Sequence, residues 1–220
     1  MCSRSLRLTT LLSAIVLATL LPAVSASAAT TVALWHMNES SGPMVDSSSF
    51  GNDGTLSNVT RVSGSFNGSK AYSFNGSSSK VTVSNDASLN PGSQNVTITV
   101  HVKFSQVPSA SIIDYDLVRK QSGAGTYKVE ILRTGKAFCK FRGTSRNVAI
   151  TAGPNLADNA WHTIVCTKTS SSVRLTVDGT SFVKNGSVGS ITNAKAVFLG
   201  SKGGADWYKG LMDEVSIVFG

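Results

Sequence analysis

Acidic side chains are the first residues whose spacing can be tested for catalysis. A glycoside hydrolase needs two carboxyl groups about 5 to 10 Å apart on one surface, which on a strand means acids at positions i and i+2 or i+4. Asp213 and Glu214 are adjacent, so they would point to opposite faces of a strand. Asp114 and Asp116 have the required spacing, but we expect them to lie in a long loop over 106–116. The carboxylates therefore argue against a hydrolase.

Histidine, tyrosine and cationic side chains can be tested for a second enzyme class, the polysaccharide lyases that act on anionic glycans. Such an enzyme needs a general base and a group that neutralises the uronate carboxylate. His101 and His162 have no evident partner, and Tyr127 is predicted to lie in the core. The sequence also contains no G-x-S-x-G nucleophile motif. We therefore predict no catalytic residues and keep the lyase as the alternative.

Cys139 and Cys166 predict one disulfide bond. They are the two cysteines left when Cys2 and the rest of the N-terminal segment are set aside, and an even number in an exported chain is typical of a disulfide. Zinc is the rival interpretation, but two cysteines at this spacing are too few ligands. Strand side chains alternate, so Cys139 shares a face with Phe141 and Cys166 with Ile164. A bridge is geometrically reasonable if the two strands adjoin or lie across the core.

The N-terminal segment predicts export. Two arginines precede an apolar run over 11–21, and small residues typical of a cleavage site end at Ala28. A transmembrane anchor is the alternative, but the run is shorter than the roughly 20 residues that a membrane helix needs. We therefore predict a signal peptide over 1–28, a single domain over 29–220, no membrane span and a secreted protein.

The remaining sequence has the pattern of an all-β protein. Short runs rich in β-branched and aromatic residues are separated by Gly, Asn, Ser and Asp, with almost no helical periodicity. This pattern is typical of a sandwich or barrel. The predicted strands cover 31–35, 71–74, 80–83, 96–104, 127–132, 136–142, 161–168, 173–178, 196–200 and 211–219.

Alternation along these strands also predicts which side chains face solvent. One sheet face is expected to carry Lys128, Glu130, Phe138, Lys140, Arg142 and Arg174. The Phe138 ring and the four cations of this set make this face the main candidate ligand-binding surface. Trp207 and Tyr208, in a polar loop over 202–209, form a second candidate platform for a sugar. The alternatives are an ordinary solvated face and a Trp207 packed beneath its loop.

Several motifs resemble those of laminin-G-like domains. In order they are LWHMNE at 34–39, AYSFNG at 71–76, NAWHTI at 159–164, LTVDG at 175–179 and GLMDEV at 210–215. The chain thus resembles the secreted laminin-G-like members of the concanavalin A-like lectin-glucanase superfamily. The resemblance implies a jelly-roll β-sandwich of two antiparallel sheets, with a cysteine pair placed like Cys139 and Cys166. The glucanases of this superfamily carry an E-x-D-x-E strand, which this sequence lacks.

The resemblance also implies a calcium ion between the end of the first strand and the closing strand. Glu39 and Asp213 would be side-chain ligands, with Asn38 or Asp46 nearby. Carboxylate and amide oxygens of this kind are the ligands that calcium prefers. The alternative is that Asn38 and Glu39 are solvated and that Asp213 caps a hairpin.

Lysine and arginine outnumber the acids and give a formal net charge of +8. Such a charge favours acidic partners, although it also serves solubility. We therefore predict a secreted, non-catalytic binding module for a polysaccharide or other glycan, acidic in character, with calcium as its cofactor. Nucleic acid is not expected as a partner. A polysaccharide lyase and an adhesion or protein-binding domain are the alternatives.

Overall fold

A computed structural model describes residue 1, residues 28–123 and residues 125–220 of the chain. The predicted signal peptide over 1–28 lies almost entirely outside these residues and stays a prediction. Within the described ranges, no helix is long and apolar enough to cross a membrane. The helix assigned there is a single 3-10 turn, Ala87–Leu89, in which the Ser88 amide donates to the Asp86 side chain at its start.

The described residues form fifteen strands, which confirms the all-β prediction. They are β1 Thr30–Trp35, β2 Gly54–Ser57, β3 Thr60–Val62, β4 Ala71–Asn75, β5 Lys80–Val83, β6 Val96–Lys103, β7 Asp114–Ser122, β8 Gly125–Leu132, β9 Ala137–Arg142, β10 Asn147–Ala152, β11 Trp161–Lys168, β12 Ser172–Val177, β13 Thr180–Asn185, β14 Val197–Leu199 and β15 Lys209–Phe219. Strands β2, β3, β7, β10 and β13 were absent from the sequence prediction, because most of them are polar or short.

The strands pair into two antiparallel sheets. Sheet 1 has the order β13-β12-β11-β6-β15-β4-β3, and β1 pairs with β15 beside this path. Sheet 2 has the order β10-β9-β8-β7-β14-β5-β2. Neighbours in each sheet are often far apart in the chain, as in the jelly-roll sandwich that the resemblance implies.

Strand β15 is long enough to pair with two different strands along one of its edges. Residues 209–212 pair with β4, whereas residues 215–219 pair with β1. Between the two halves the register against β6 shifts after Asp213. Glu214 lies in this bulge with a φ of 46°, a left-handed conformation that is uncommon for a residue with a Cβ. The bulge turns the Asp213 and Glu214 side chains toward the outer side of sheet 1.

The core lies between the two sheets and follows the predicted alternation. Val96, Ile98, Val100 and Val102 of β6 are fully buried, whereas the residues between them are half-buried. The disulfide between Cys139 of β9 and Cys166 of β11 crosses this core, with 5.7 Å between the Cα atoms. The predicted bridge is confirmed, and it joins sheet 2 to sheet 1.

The pairing corrects two sequence predictions. Arg174 lies on β12, which pairs with β11 and β13 in sheet 1, so it is not on the face that carries Lys128 and Phe138. Asp114 and Asp116 lie on β7 and not in a loop. The first error arises because a period-2 pattern tells which side chains share one strand face but not which strands are neighbours. The second arises because β7 has the sequence DYDLVRKQS, which is rich in charged and polar residues.

Candidate binding surfaces

The outer face of sheet 2 carries four of the predicted ligand-binding residues. Lys128 on β8 lies directly opposite Lys140 on β9, and Phe138 and Arg142 are the next outward-facing residues of β9. The Lys128 ammonium group lies 5.4 Å from the centre of the Phe138 ring, within the range of a cation–π contact. We call Lys128, Phe138, Lys140 and Arg142 the cationic face.

Positive charge on the cationic face is only partly neutralised. Lys128 forms an ion pair with Glu130 on its own strand. Within the described part of the chain, Lys140 and Arg142 take part in no salt bridge. Burial lowers the pKa of Lys140, and the neighbouring Lys128 ammonium lowers it further. Lys128 and Lys140 thus place two cations opposite each other on paired strands.

A row of ion pairs continues from Lys128 toward strand β7. Glu130 is almost fully buried, and its carboxylate lies 3.5 Å from the Arg119 guanidinium. Arg119 in turn donates to both carboxylate oxygens of Asp116, each at 2.9 Å. Burial raises the pKa of Glu130, and the nearby Asp116 carboxylate raises it further. The charged groups on this part of the sheet therefore form ion pairs with one another.

Asp116 also belongs to a buried cluster of three carboxyl groups. Asp114, Asp116 and Asp206 each place an oxygen within 4.8 Å of the other two. Asp206 comes from the loop before β15, and its backbone carbonyl accepts a hydrogen bond from the Asp116 amide at 3.2 Å. We call these three residues the aspartate cluster. Such a cluster is able to hold a metal ion, because carboxylate oxygens converge on one point.

The members of the aspartate cluster differ in their neutralising partners. Asp116 is paired with Arg119, and Asp206 is paired with Lys202 at 2.5 Å. Asp114 is 8% exposed, and its Oδ1 is buried without a hydrogen-bond partner among the described residues. Burial, followed by the charges of Asp116 and Asp206, raises the pKa of Asp114 to about 6. One oxygen of the cluster thus lacks a donor among the described residues, a feature that the sequence analysis did not predict.

The residues predicted to bind calcium have other contacts. Asn38 Oδ1 accepts from the amides of Ser69 and Lys70, at 2.8 and 2.9 Å. Glu39 accepts from the Tyr72 hydroxyl at 2.6 Å and, with its other oxygen, from the Val45 amide. These oxygens therefore hold two loops in place.

Asp213, the third predicted calcium ligand, is fully buried. Its Oδ2 accepts from the amides of Phe66 and Asn67, and its Oδ1 accepts from the Glu214 amide. Burial raises the pKa of Asp213 to about 6, although the three amide donors oppose the rise. Its role in the structure is to hold the loop after β3 against β15.

Only one of the two aromatic residues predicted to form a platform over 202–209 is accessible. Tyr208 is fully buried, and its ring packs against Phe74, Phe104 and Tyr115. Its hydroxyl donates to the Leu211 carbonyl at 2.8 Å. A sugar has no access to this ring, so the prediction for Tyr208 is corrected. Trp207 lies in the segment before β15 and is half-buried.

Both histidines that lacked partners in the sequence have them in the fold. His162 lies between two carboxylates, with Nδ1 2.8 Å from Asp178 and Nε2 2.9 Å from Asp158. His101 Nδ1 lies 3.1 Å from the Glu214 carbonyl oxygen. Burial lowers the pKa of His101, which leaves it neutral near pH 7. Asp158 lies in the loop before β11 and Asp178 directly follows β12, whereas the partner of His101 comes from the last strand.

The comparison with protein families decides the classification. A laminin-G family model, described as the concanavalin A-like lectin/glucanases superfamily, matches residues 75–218. The chain belongs to this superfamily. The resemblance seen in the motifs is therefore confirmed, and the superfamily's jelly-roll architecture agrees with the two antiparallel sheets. No curated protein sequence matches the chain.

Solved structures similar to this superfamily member include the binding domains of clostridial toxins. The binding domain of Paraclostridial Mosquitocidal Protein 1 is 17% identical, with a TM-score of 0.68, and the match covers 86% of this chain and 48% of that one. The receptor-binding domain of botulinum neurotoxin D is 14% identical, with a TM-score of 0.66 and the same coverage. The chain thus spans about half the length of these neighbours. At this identity the similarity shows a shared lectin-like fold.

Proposed function

We propose that this protein is a secreted glycan-binding module whose ligand lies on the cationic face and carries acidic groups. The observation that carries the proposal is the pair Lys140 and Arg142. Both follow Phe138 at alternate, outward-facing positions of β9, and neither has a salt-bridge partner among the described residues. An aromatic ring offers a surface for the apolar side of a sugar, and the two cations offer partners for carboxylate or sulfate groups.

The known binding functions of similar folds support this proposal. Botulinum neurotoxin type C has a binding domain of this fold, with a TM-score of 0.66, and its cell entry depends upon interaction with two ganglioside molecules. The identity is 10%, and the match covers 47% of that chain. The toxin shows that proteins containing this fold engage glycan-bearing partners. The cationic residues of β8 and β9 give the reason to expect the same of this chain.

Secretion belongs to the same proposal. The sequence of 1–28 has the pattern of a signal peptide. The disulfide between Cys139 and Cys166 forms in oxidising compartments such as the extracellular space. Purification of the protein from culture medium, followed by sequencing of its N-terminus, tests this part. We expect a mature chain that begins at Ala29, whereas an intact N-terminus would contradict the cleavage.

The glycan proposal is tested by affinity electrophoresis in gels that contain alginate, polygalacturonate, heparin or an uncharged glucan. We expect the acidic polymers to retard the protein. A Lys140→Ala/Arg142→Ala variant should lose about ten-fold or more in affinity, because two charge-assisted contacts are removed. Arg174→Ala is the matched control, since Arg174 is an exposed cation on the other sheet. Equal losses in both variants would show that net charge, and not this face, binds the polymer.

The same assay separates binding from the lyase alternative. A lyase releases unsaturated products that absorb ultraviolet light. Retardation without such products supports a binding module. Appearance of products with alginate or polygalacturonate would replace the proposal with an enzyme, and the Arg119 and Lys128 cations beside Glu130 would be the first residues to test.

We further propose that the aspartate cluster binds calcium. The supporting observation is the buried Oδ1 of Asp114, which has no donor in the part of the chain that the structure describes and lies next to two further carboxylates. A divalent cation would supply the missing partner, and Lys202, at the exposed end of the cluster, would be released from Asp206. The cluster lies beside Arg119, which links it to Glu130 and the cationic face.

Calorimetric titration of the EDTA-treated protein with CaCl₂ tests this site. We expect a binding heat and a rise in melting temperature, because a cation that binds only the folded state stabilises it. Asp114→Asn should abolish both effects. Glu39→Gln is the control, since Glu39 belongs to the predicted site at the first strand. Loss of the calcium response in Glu39→Gln, with retention in Asp114→Asn, would show that calcium binds near Glu39 and not at the aspartate cluster.

A further inference from the structure

An aromatic cluster lies on the outer face of sheet 1, on the opposite side of the sandwich from the cationic face. The Phe66 ring stacks on the His101 imidazole, with 3.8 Å between the ring centres and 22° between the planes. Trp161 meets Phe66 edge-on, with 6.0 Å between centres. His101 of β6 and Trp161 of β11 belong to neighbouring strands and point outward together. None of these three residues was a predicted ligand-binding residue.

Phe66 is exposed, yet the structure fixes it in place. Phe66 is 44% exposed. Its backbone amide is bonded to the buried carboxylate of Asp213 at 2.8 Å. The same loop is held at its other end by Asn38, which accepts from the amides of Ser69 and Lys70. A buried acid with a raised pKa and an amide side chain thus hold a loop whose outermost large side chain is an exposed aromatic ring.

This arrangement differs from an ordinary exposed hydrophobic residue. Burying a carboxylate is costly unless it is fully hydrogen-bonded. Among the described residues, the donors to Asp213 come from the loop that carries Phe66 and from Glu214. Holding an exposed aromatic ring rigid reduces the entropy that it loses when a ligand binds. The loop is therefore preorganised to present the Phe66 ring to a ligand rather than to bury it in the core.

Polar groups suited to hydroxyl recognition adjoin the stacked rings. Glu214 occupies the β15 bulge at a φ of 46°, and backbone outliers of this kind cluster at ligand sites. Its carbonyl oxygen contacts His101 at 3.1 Å, and its carboxylate lies 2.8 Å from His36 Nδ1. The His36 side chain is 43% exposed. The Glu214 side chain is 14% exposed. Its carboxylate and the His36 imidazole are an acceptor and a donor of the kind that sugar hydroxyls need.

We infer that the Phe66–His101–Trp161 cluster is a second binding site, which takes a pyranose ring of an uncharged glycan. The apolar side of the ring stacks on Phe66, and its hydroxyl groups bond to Glu214 and His36. The Glu214 carboxylate favours an uncharged sugar over a uronate or sulfated one, because like charges repel. The site is separate from the cationic face, so it neither requires nor supports the acidic ligand proposed above.

Affinity electrophoresis in gels containing xyloglucan, galactomannan, arabinogalactan or mixed-linkage β-glucan tests this site. We expect at least one of these uncharged polymers to retard the wild-type protein. Phe66→Ala should weaken that retardation about ten-fold or more, because the stacking surface is lost. Phe66→Tyr should keep it. Phe50→Ala is the matched control, since Phe50 is 43% exposed on another loop.

Three outcomes would overturn the inference. The first is that none of the four uncharged polymers retards the protein. The second is that Phe66→Ala and Phe50→Ala behave alike. The third is concentration-dependent dimerisation that Phe66→Ala abolishes, since the cluster would then contact a second copy of the chain. Lys140→Ala/Arg142→Ala should leave retardation by an uncharged polymer unchanged. A failure of this site can therefore be distinguished from a failure of the cationic face.

Discussion

Cys139 and Cys166 are joined across the core, with 5.7 Å between their Cα atoms. Each lies on an inward-facing position of its strand and is fully buried. Cys139 belongs to β9 of sheet 2, and Cys166 belongs to β11 of sheet 1. The bond therefore connects the strand that presents Phe138 and Lys140 to the strand that presents Trp161. Both proposed binding surfaces are held by the same covalent link.

Removal of this bond should lower stability considerably. The bridged residues are 27 positions apart in the chain, and for a loop of this size chain entropy predicts a loss of about 3 to 4 kcal/mol in the free energy of unfolding. Urea denaturation of a Cys139→Ala/Cys166→Ala variant measures the loss. Wild-type protein reduced with dithiothreitol is the control and should lose a similar amount. A loss below about 1 kcal/mol would contradict the chain-entropy account.

The buried hydroxyl of Tyr208 should contribute to stability and not to binding. It donates to the Leu211 carbonyl at 2.8 Å and also lies 3.2 Å from the Lys103 carbonyl. Tyr208→Phe keeps the ring but removes the buried hydroxyl donor, so we expect the free energy of unfolding to fall by about 1 to 3 kcal/mol. Urea denaturation checks this value. Retardation in acidic and uncharged gels should match that of the wild type, and a selective loss of glycan binding would refute the core assignment.

The contribution of His162 to stability should depend on pH. Burial alone would lower the pKa of His162, but hydrogen bonds and charges from Asp178 and Asp158 outweigh it and raise the pKa above 6.5. A histidine with a raised pKa stabilises the folded state fully below its unfolded-state pKa, and this contribution is lost as the pH rises through the folded-state pKa. We therefore expect His162→Gln to destabilise the protein more at about pH 5.5 than at about pH 9.

Urea denaturation of wild type and His162→Gln at the two pH values tests this prediction. Comparing variant with wild type at each pH cancels the titration of the other groups, such as Asp114 and Asp213. His36→Gln is the control, because the His36 ring is more exposed and has a single carboxylate contact. A difference between wild type and His162→Gln that stays constant with pH would show that the ring is held by packing alone.

Binding at the cationic face should depend on ionic strength. Attraction between exposed charges is screened as salt increases, and Lys140 and Arg142 are free of salt bridges within the described residues. We expect affinity for an acidic polysaccharide to fall between about 50 and about 500 mM NaCl. Lys140→Ala/Arg142→Ala should lose most of this salt sensitivity as well as affinity, whereas Arg174→Ala should keep it. Retardation by an uncharged polymer through Phe66 should change little with salt.

The sequence could predict those features that depend on local patterns. Alternation in segments such as 96–104 gave the strands and their inward faces, and the even cysteine count gave the bridge between Cys139 and Cys166. The same alternation placed Lys128, Phe138, Lys140 and Arg142 on one face, which the pairing of β8 with β9 confirms. These strands are joined by a short turn, so local spacing was sufficient to predict that they are neighbours.

Only the tertiary structure decided which distant strands meet. It placed Arg174 on the other sheet, buried Tyr208, and brought Asp206 to Asp114 from the far end of the chain. It also stacked Phe66 on His101, although nothing in their spacing relates them. Strand order in a sandwich depends on long-range hydrogen bonds and on packing between the sheets, whereas a period of two residues carries information about a single strand. The sequence by itself therefore determined the β-sandwich, its disulfide and one cationic face, and the tertiary structure determined the aspartate cluster and the aromatic site.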